Sequence, residues 1–143
     1  MRLAIAFLLP MSTPNLSPYL DRWKHRLALQ EEQNRGLAHQ AKQMLPQLTR
    51  LLTEQFHATQ IILFGSLAKG TFHQDSDIDL AVAGISPEKY FSALAALNRL
   101  SPSFQIDLKP LEDLEPQFYQ RVIQTGECLY GADICRSDSG NCF

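Results

Sequence analysis

Apolar residues recur at intervals of three and four from residue 20 to residue 56, which is the period of an α-helix. The segment before this stretch, residues 10–18, holds three prolines and several small polar residues and predicts a loop, with Ser17 as the cap of the helix. Pro46 interrupts the helical pattern, because proline lacks a backbone N–H group, and we expect it either to kink the helix or to begin a second one. The first part of the chain is therefore predicted to be a long helical segment.

From residue 60 onward the pattern changes to short apolar runs that favour β-strands. Strands are predicted at 60–64, 77–83 and 104–109, and helices are predicted at 87–100 and 116–124. The residues ECLY at 127–130 are a candidate for a last strand. The order of helix, strand, strand, helix, strand and helix indicates an α/β (α+β) fold, in which a small mixed β-sheet packs against helices.

The composition limits the structural class to which the protein can belong. A chain of 143 residues with 45% apolar and 20% charged residues fits one folded domain and argues against a disordered or membrane-spanning protein. Charge is uneven, since residues 1–59 contain seven Lys or Arg and four Asp or Glu, whereas residues 60–143 contain six and eleven. The chain is not basic enough to favour nucleic acid as a direct ligand, and the excess of carboxylates in the second half suits metal ions better.

Cysteine usage and the N-terminus bear on the cellular compartment. Cys128, Cys135 and Cys142 are odd in number and seven residues apart, a pattern that fits neither a disulfide framework nor a zinc site. We therefore expect reduced thiols and a cytoplasmic protein. The apolar run at residues 3–9 is short for a signal peptide and is not followed by a small-residue cleavage site, and Met11 is an equally good start.

The candidate chemistry lies where the second strand begins. Gly65 and Ser66 close the first predicted strand, and after ten further residues Asp77 and Asp79 open the second. In an extended chain alternate side chains share a face, so the two carboxylates are expected to point the same way while Ile78 points into the core. The sequence therefore brings two carboxylates to one spot.

A third carboxylate is expected to join this pair. Asp107 alternates with apolar residues on the third predicted strand, and it lies beside Asp77 and Asp79 if the strands are neighbours. Clustered carboxylates repel one another unless a cation binds between them, and hard oxygen ligands favour Mg²⁺, which commonly takes substrate phosphates as further ligands. Three carboxylates can hold two metal ions, an arrangement that serves phosphoryl or nucleotidyl transfer.

The segment after the first strand is suited to bind phosphate. Gly65 lets the backbone approach a phosphate closely, and residues 66–69 are expected to form a helical turn whose amide groups face an anion. Lys69 adds a positive charge there. The segment is not a Walker A loop, because Thr71 stands where that motif needs lysine.

The pattern of Gly-Ser, ten residues, Asp-x-Asp and a later Asp on a strand resembles the minimal nucleotidyltransferases of the DNA polymerase β superfamily. The resemblance implies that Gly65 and Ser66 bind the triphosphate of ATP and that Asp77 and Asp79 hold the metal ions. It also implies that Asp107 completes the site and helps to deprotonate the acceptor. The implied cofactor is Mg²⁺, with two ions expected, and the implied substrate is ATP.

The resemblance covers about residues 46–130 and implies a domain organisation. We expect a loop and helical extension over residues 1–45, a minimal nucleotidyltransferase domain over residues 46–135 and a disordered tail over residues 136–143. Lys69 stands where the family often has arginine, which keeps the positive charge that is expected to contact the nucleotide but loses the bidentate geometry of a guanidinium.

Minimal members of this superfamily are commonly the antitoxins of toxin-antitoxin pairs, in which they transfer AMP from ATP to a tyrosine of a helical HEPN ribonuclease toxin. The resemblance therefore implies a protein adenylyltransferase with a cognate HEPN toxin as its partner and no membrane contact. Trp23 and Leu27 are expected to pack within the chain, and the alternative is that they face this partner. The sequence leaves open whether the chain forms a homo-oligomer.

Two further hypotheses keep the fold and change the function. In the first, the chain binds nucleotide without transfer and neutralises its partner stoichiometrically, against which the intact carboxylate triad argues. In the second, the chain modifies a small molecule in the manner of an aminoglycoside nucleotidyltransferase, which would need an acceptor pocket from a second domain or a second subunit.

Overall fold

The structure of the chain is a computed structural model that describes residues 15–131. The predicted tail at residues 136–143 and most of the predicted loop at residues 10–18 lie outside the described residues. The helices and strands in chain order are α1 (Ser17–Phe56), β1 (Gln60–Phe64), α2 (Gly65–Lys69), β2 (Ile78–Ala83), α3 (Pro87–Leu100), β3 (Ile106–Pro110), a 3-10 turn (Leu111–Asp113), α4 (Pro116–Thr125) and β4 (Glu127–Tyr130).

The four strands form one mixed sheet in the order β3-β2-β1-β4. Strand β1 pairs antiparallel with both β2 and β4, and β2 pairs in parallel with β3. Parallel neighbours cannot be joined by a tight hairpin, so α3 carries the chain from the end of β2 back to the start of β3. The predicted small mixed sheet with helices is confirmed.

Helices and apolar side chains cover the sheet on both faces. Alternate strand residues point to opposite faces, and this alternation separates two apolar clusters. The larger cluster joins one face of the sheet to α1 and α3 through Leu48, Leu52, Ile61, Leu63, Ile78, Leu80, Ala93, Leu97, Ile106 and Leu108. The smaller cluster joins the other face to α4 through Ile62, Phe64, Ala81, Leu111 and Val122. Strand β1 lies between the two clusters, which explains why all five of its residues are buried.

Helix α1 is a single helix of 40 residues that runs through Pro46, so the second helix considered from the sequence does not form. Leu45 and Leu48 on either side of the proline are buried, whereas Pro46 is exposed. Burial of these neighbours offsets the hydrogen bond that proline cannot donate. Ser17 is the first helical residue and not the cap, and its N–H donates to Oδ1 of Asn15 at 3.1 Å.

The chain forms two compact units, one up to Gln33 and one from Asn34 onward. In the first unit Trp23 and Leu27 are 57% and 42% exposed, so the expectation that they pack within the chain is wrong. The boundary predicted after residue 45 stays a prediction. Within the described range, none of the helices has the length and apolar content that a membrane crossing requires.

The expectation of reduced thiols is also wrong at one position. Cys128 on β4 is disulfide-bonded in the structure. The odd number of cysteines and their regular spacing gave no indication of a pair. Cys135 and Cys142 lie outside the described residues.

The side chain of Asn98 on α3 pairs with the outer edge of β3. Its Oδ1 accepts a hydrogen bond from the N–H of Ile106 at 2.9 Å, and its Nδ2 donates to the carbonyl of Ile106 at 3.3 Å and to that of Leu94 at 3.0 Å. The amide therefore bonds the edge strand as another strand would, directly before Asp107.

Asn98→Ala is expected to lower the free energy of unfolding by about 1–3 kcal/mol, because the backbone groups of Ile106 lose their partner. Denaturant unfolding measures this loss. Gln43→Ala is the matched control, since the exposed amide of Gln43 contacts exposed His39 at 3.1 Å, and we expect it to cost less than about 0.5 kcal/mol. Equal losses in the two variants would contradict the edge-pairing role.

Candidate active site

Strand pairing brings the predicted acidic residues together. In the antiparallel ladder Asp79 lies opposite Phe64, the last residue of β1, and in the parallel ladder it lies beside Asp107 of β3. Neighbouring strands are about 4.8 Å apart, so the two carboxylates start from adjacent backbone positions. The condition set from the sequence, that the strands of Asp79 and Asp107 are neighbours, is therefore met. Asp77 lies one residue before β2.

Both carboxylates project from the sheet on the face opposite to the larger cluster. Ile78 and Leu80 flank Asp79 in β2 and are buried in that cluster, so Asp79 points the other way. Asp107 is flanked in the same manner on β3 and is also partly exposed. The face that packs on the smaller cluster thus carries the two carboxylates at one end.

Gly65 joins this acidic end to the turn after β1. Its φ is +74°, a conformation that residues with a Cβ rarely adopt, and a Cβ built there would collide with Oδ2 of Asp79 and lie 3.0 Å from its Cγ. Only glycine allows the carboxylate of Asp79 to lie against the backbone at this turn. The turn continues as α2, which confirms the predicted helical segment after Gly65.

Helix α2 has five residues, Gly65–Lys69, and is followed by Gly70, where the chain turns with φ +82°. The N–H groups of Gly70 and Thr71 both donate to the carbonyl of Ser66, the latter at 2.9 Å. Lys69 is the last residue of α2 and is exposed. The phosphate contacts expected of Ser66 and Lys69 stay predictions.

Asp79 is a carboxylate whose negative charge is poorly compensated. Its pKa is raised from 3.8 to about 6, chiefly by burial and then by the negative charges of Asp107 and Asp77. Lys109 acts in the opposite direction, and its Nζ lies 3.2 Å from Oδ2 of Asp107. A cation bound near Asp79 would relieve both the repulsion and the cost of burial.

The donor atoms fit a magnesium ion that is completed by substrate. Within residues 15–131 no group of three or more His, Cys, Asp or Glu side chains is arranged so that it could hold a metal ion. Mg²⁺ does not require such a group, because it is commonly held by one or two carboxylates together with substrate phosphates and water. The adjacent carboxylates of Asp79 and Asp107 meet that requirement.

Two residues near the acids were not predicted as members of the site. Lys109 is ion-paired to Asp107, and the alternation of β3, in which residues 107 and 109 share a face, was the signal that could have identified it. The pKa of Tyr90 on α3 is raised by burial and then by the charge of Asp107. Only the packing of α3 brings Tyr90 near that charge, so its position could not be deduced from the sequence pattern.

Comparison with known proteins agrees with this geometry. The sequence model of the family described as polymerase beta, nucleotidyltransferase matches residues 46–134. The chain belongs to this family. The match includes Gly65 and all three acidic residues, and it excludes the part of α1 that precedes Pro46.

Individual relatives in the family are antitoxins and adenylyltransferases. Protein adenylyltransferase MntA of Shewanella oneidensis is 30% identical over 87 residues, which is 59% of this chain and 63% of MntA, so the chain spans less than two thirds of this relative. A crystal structure of a toxin-antitoxin with AMP-PNP has a TM-score of 0.57 at 26% identity, over 65% of this chain and 77% of that chain. A structure of tri-AMPylated Shewanella oneidensis HEPN toxin in complex with MNT antitoxin shares the fold, with a TM-score of 0.50 at 22% identity over 63% and 71%.

The raised pKa of Asp79 predicts that this carboxylate destabilises the protein at neutral pH. Because the folded state binds the proton more tightly than the unfolded state, the free energy of unfolding falls as pH rises from about 4 to about 6. Asp79→Asn should therefore be more stable than the wild type at pH 7 by about 1 kcal/mol, a value reduced for partial exposure, and should show no gain at pH 4.

Denaturant unfolding in EDTA at several pH values measures this difference. Asp113→Asn, which neutralises an exposed acid of the 3-10 turn, is the control and should show no comparable gain at pH 7. If the free energies of unfolding of the wild type and Asp79→Asn differ by the same amount from pH 4 to pH 7, the raised pKa of Asp79 is refuted.

Proposed function

We propose that this chain is a magnesium-dependent nucleotidyltransferase that transfers AMP from ATP to a tyrosine of a cognate HEPN-type toxin and so acts as its antitoxin. The observation that carries the proposal is the parallel pairing of Asp79 with Asp107 beside the turn at Gly65. Two carboxylates at one end of a sheet, next to backbone that a phosphate can approach, suit a transfer reaction at phosphorus.

The relatives support the chemistry and the partner. One is named as a protein adenylyltransferase, and a structural neighbour is a toxin-antitoxin with AMP-PNP, a non-hydrolysable relative of ATP. We infer the same nucleotide and the same class of partner for this chain. A cytoplasmic location, in which an antitoxin would meet its toxin, is part of this proposal.

The site residues have distinct roles in the proposed reaction. Asp77, Asp79 and Asp107 would hold Mg²⁺, which when bound supplies the positive charge that stabilises the reacting phosphate. Gly65 leaves room for the carboxylate of Asp79 at the turn, and the backbone of Gly65 together with Ser66 and Lys69 would bind the oxygens of the triphosphate. These groups orient the α-phosphate for attack.

Asp107 would also act as the general base, in addition to its place in the metal site. It takes the proton of the acceptor tyrosine as the phenolic oxygen forms its bond to the α-phosphorus. The bond from that phosphorus to the bridging oxygen breaks on the opposite side, and pyrophosphate leaves with the electron pair. The AMP group is then esterified to the tyrosine of the partner.

The N-terminal part of α1 is suited to contact a partner protein. Tyr19, Trp23 and Leu27 are 64%, 57% and 42% exposed within the unit that ends at Gln33. Exposed aromatic and aliphatic side chains on one helix are typical of protein interfaces. We propose that this segment contributes to binding the toxin.

Stoichiometric neutralisation is the second candidate. It is favoured by the exposed Tyr19, Trp23 and Leu27, which suit the binding of a partner whether or not a transfer follows. In that case the chain would mask its partner while binding nucleotide, and the carboxylates would contribute little.

Transfer of label from ATP decides between these functions. The chain, Mg²⁺ and ATP labelled on the α-phosphate are incubated with the HEPN protein encoded beside it. We expect label on a tyrosine of that protein, located by mass spectrometry, and a loss of at least about 100-fold in Asp79→Asn and in Asp107→Asn. Asp113→Asn should keep a rate within about twofold of the wild type, as surface substitutions usually do.

The alternatives give different results in the same assay. Full neutralisation of the toxin by Asp79→Asn, with no label transferred by the wild type, would establish the stoichiometric function instead. Label on an added aminoglycoside without any partner protein would establish a small-molecule enzyme.

A further inference from the structure

Lys109 is the charged residue in closest described contact with the acidic end of the sheet. Its Nζ lies 3.2 Å from Oδ2 of Asp107, and the two side chains are 41% and 42% exposed. Both residues belong to β3 and lie two positions apart, so they project from the same face of the sheet. The positive charge therefore stands over the surface on which the carboxylates lie.

The strand register extends this contact to a second carboxylate. Asp107 lies beside Asp79 on β2, and Lys109 lies beside Ala81, two residues further along the same two strands. Lys109 also lowers the pKa of Asp79, although it forms its ion pair with Asp107. One ammonium group thus offsets the negative charge of two neighbouring acids.

A contribution to the free energy of folding does not explain this ion pair. A pair with both side chains about two fifths exposed is screened by water and contributes little to folding. The pair bears on the metal site instead, because a metal ion that binds this oxygen of Asp107 would have to displace the ammonium group of Lys109.

We propose that Lys109 is the counter-cation of the site. In the nucleotide-free protein it is ion-paired with Asp107, and when a divalent ion binds with its nucleotide, its ammonium group moves to the triphosphate. This inference rests on the proposed metal and nucleotide site. Its consequence is coupling: the ammonium competes with a divalent ion that arrives alone and favours one that arrives with a polyphosphate. Lys109 would then be a binding residue for the nucleotide, and it would suppress occupation of the site by metal alone.

Two binding measurements on the full chain test this role. Mn²⁺ replaces Mg²⁺ as the probe, and its affinity is measured by calorimetry first alone and then with AMP-PNP. We expect Lys109→Met to bind Mn²⁺ alone about two- to fivefold more tightly and to bind AMP-PNP at saturating Mn²⁺ about two- to fivefold more weakly. Opposite shifts are diagnostic, since general damage to the fold would weaken both.

Two further variants complete the design. Lys109→Arg keeps the charge and is expected to bind Mn²⁺ alone no more tightly than the wild type. Lys89→Met removes an exposed charge on α3, and both affinities should stay within about twofold of the wild type. Circular dichroism establishes that each variant is folded, and Lys109→Gln replaces Lys109→Met if the latter is not.

The outcomes separate this inference from the function on which it rests. A wild type that binds neither Mn²⁺ nor AMP-PNP overturns the metal and nucleotide site and the role of Lys109 with it. A wild type that binds both, with Lys109→Met weakening both affinities or changing neither, overturns the role of Lys109 alone.

Discussion

The repulsion between Asp79 and Asp107 is the interaction on which the account of this protein depends. Parallel pairing of β2 with β3 fixes the two carboxylates side by side, and burial of Asp79 strengthens their mutual effect. A fold selected for stability alone has no reason to keep this arrangement. Its presence is explained if a cation and a polyphosphate complete the site and convert the repulsion into binding energy.

The rest of the domain holds this arrangement in place. Helix α3 makes parallel pairing possible, and Asn98 from the same helix bonds the edge strand at Ile106, directly before Asp107. At the other side of Asp79, the absence of a side chain at Gly65 leaves room for the carboxylate against the backbone. Hydrogen bonds and backbone geometry thus oppose the electrostatic tendency of the acids to separate.

Sequence patterns predicted the parts of the molecule in which local preference and tertiary structure agree. The strand at 60–64 and the shared end of the sheet for Asp79 and Asp107 follow from alternation and from the order of the elements. At Pro46 the sequence left open whether the helix continues or a second one begins, because a local signal does not show whether long-range burial overrides it. The contact of Asn98 depends on how α3 packs against β3, which the hydrophobic period does not specify. Alternation along β3, in contrast, could have placed Lys109 on the same face as Asp107.

A crystal structure of the chain with Mn²⁺ and AMP-PNP tests the central claim most directly, because Mn²⁺ can be located by its anomalous scattering. The account predicts an ion within about 2.0–2.3 Å of carboxylate oxygens of both Asp79 and Asp107, with the triphosphate against Gly65 and Ser66. A nucleotide bound elsewhere, or an ion that contacts neither carboxylate, would contradict it.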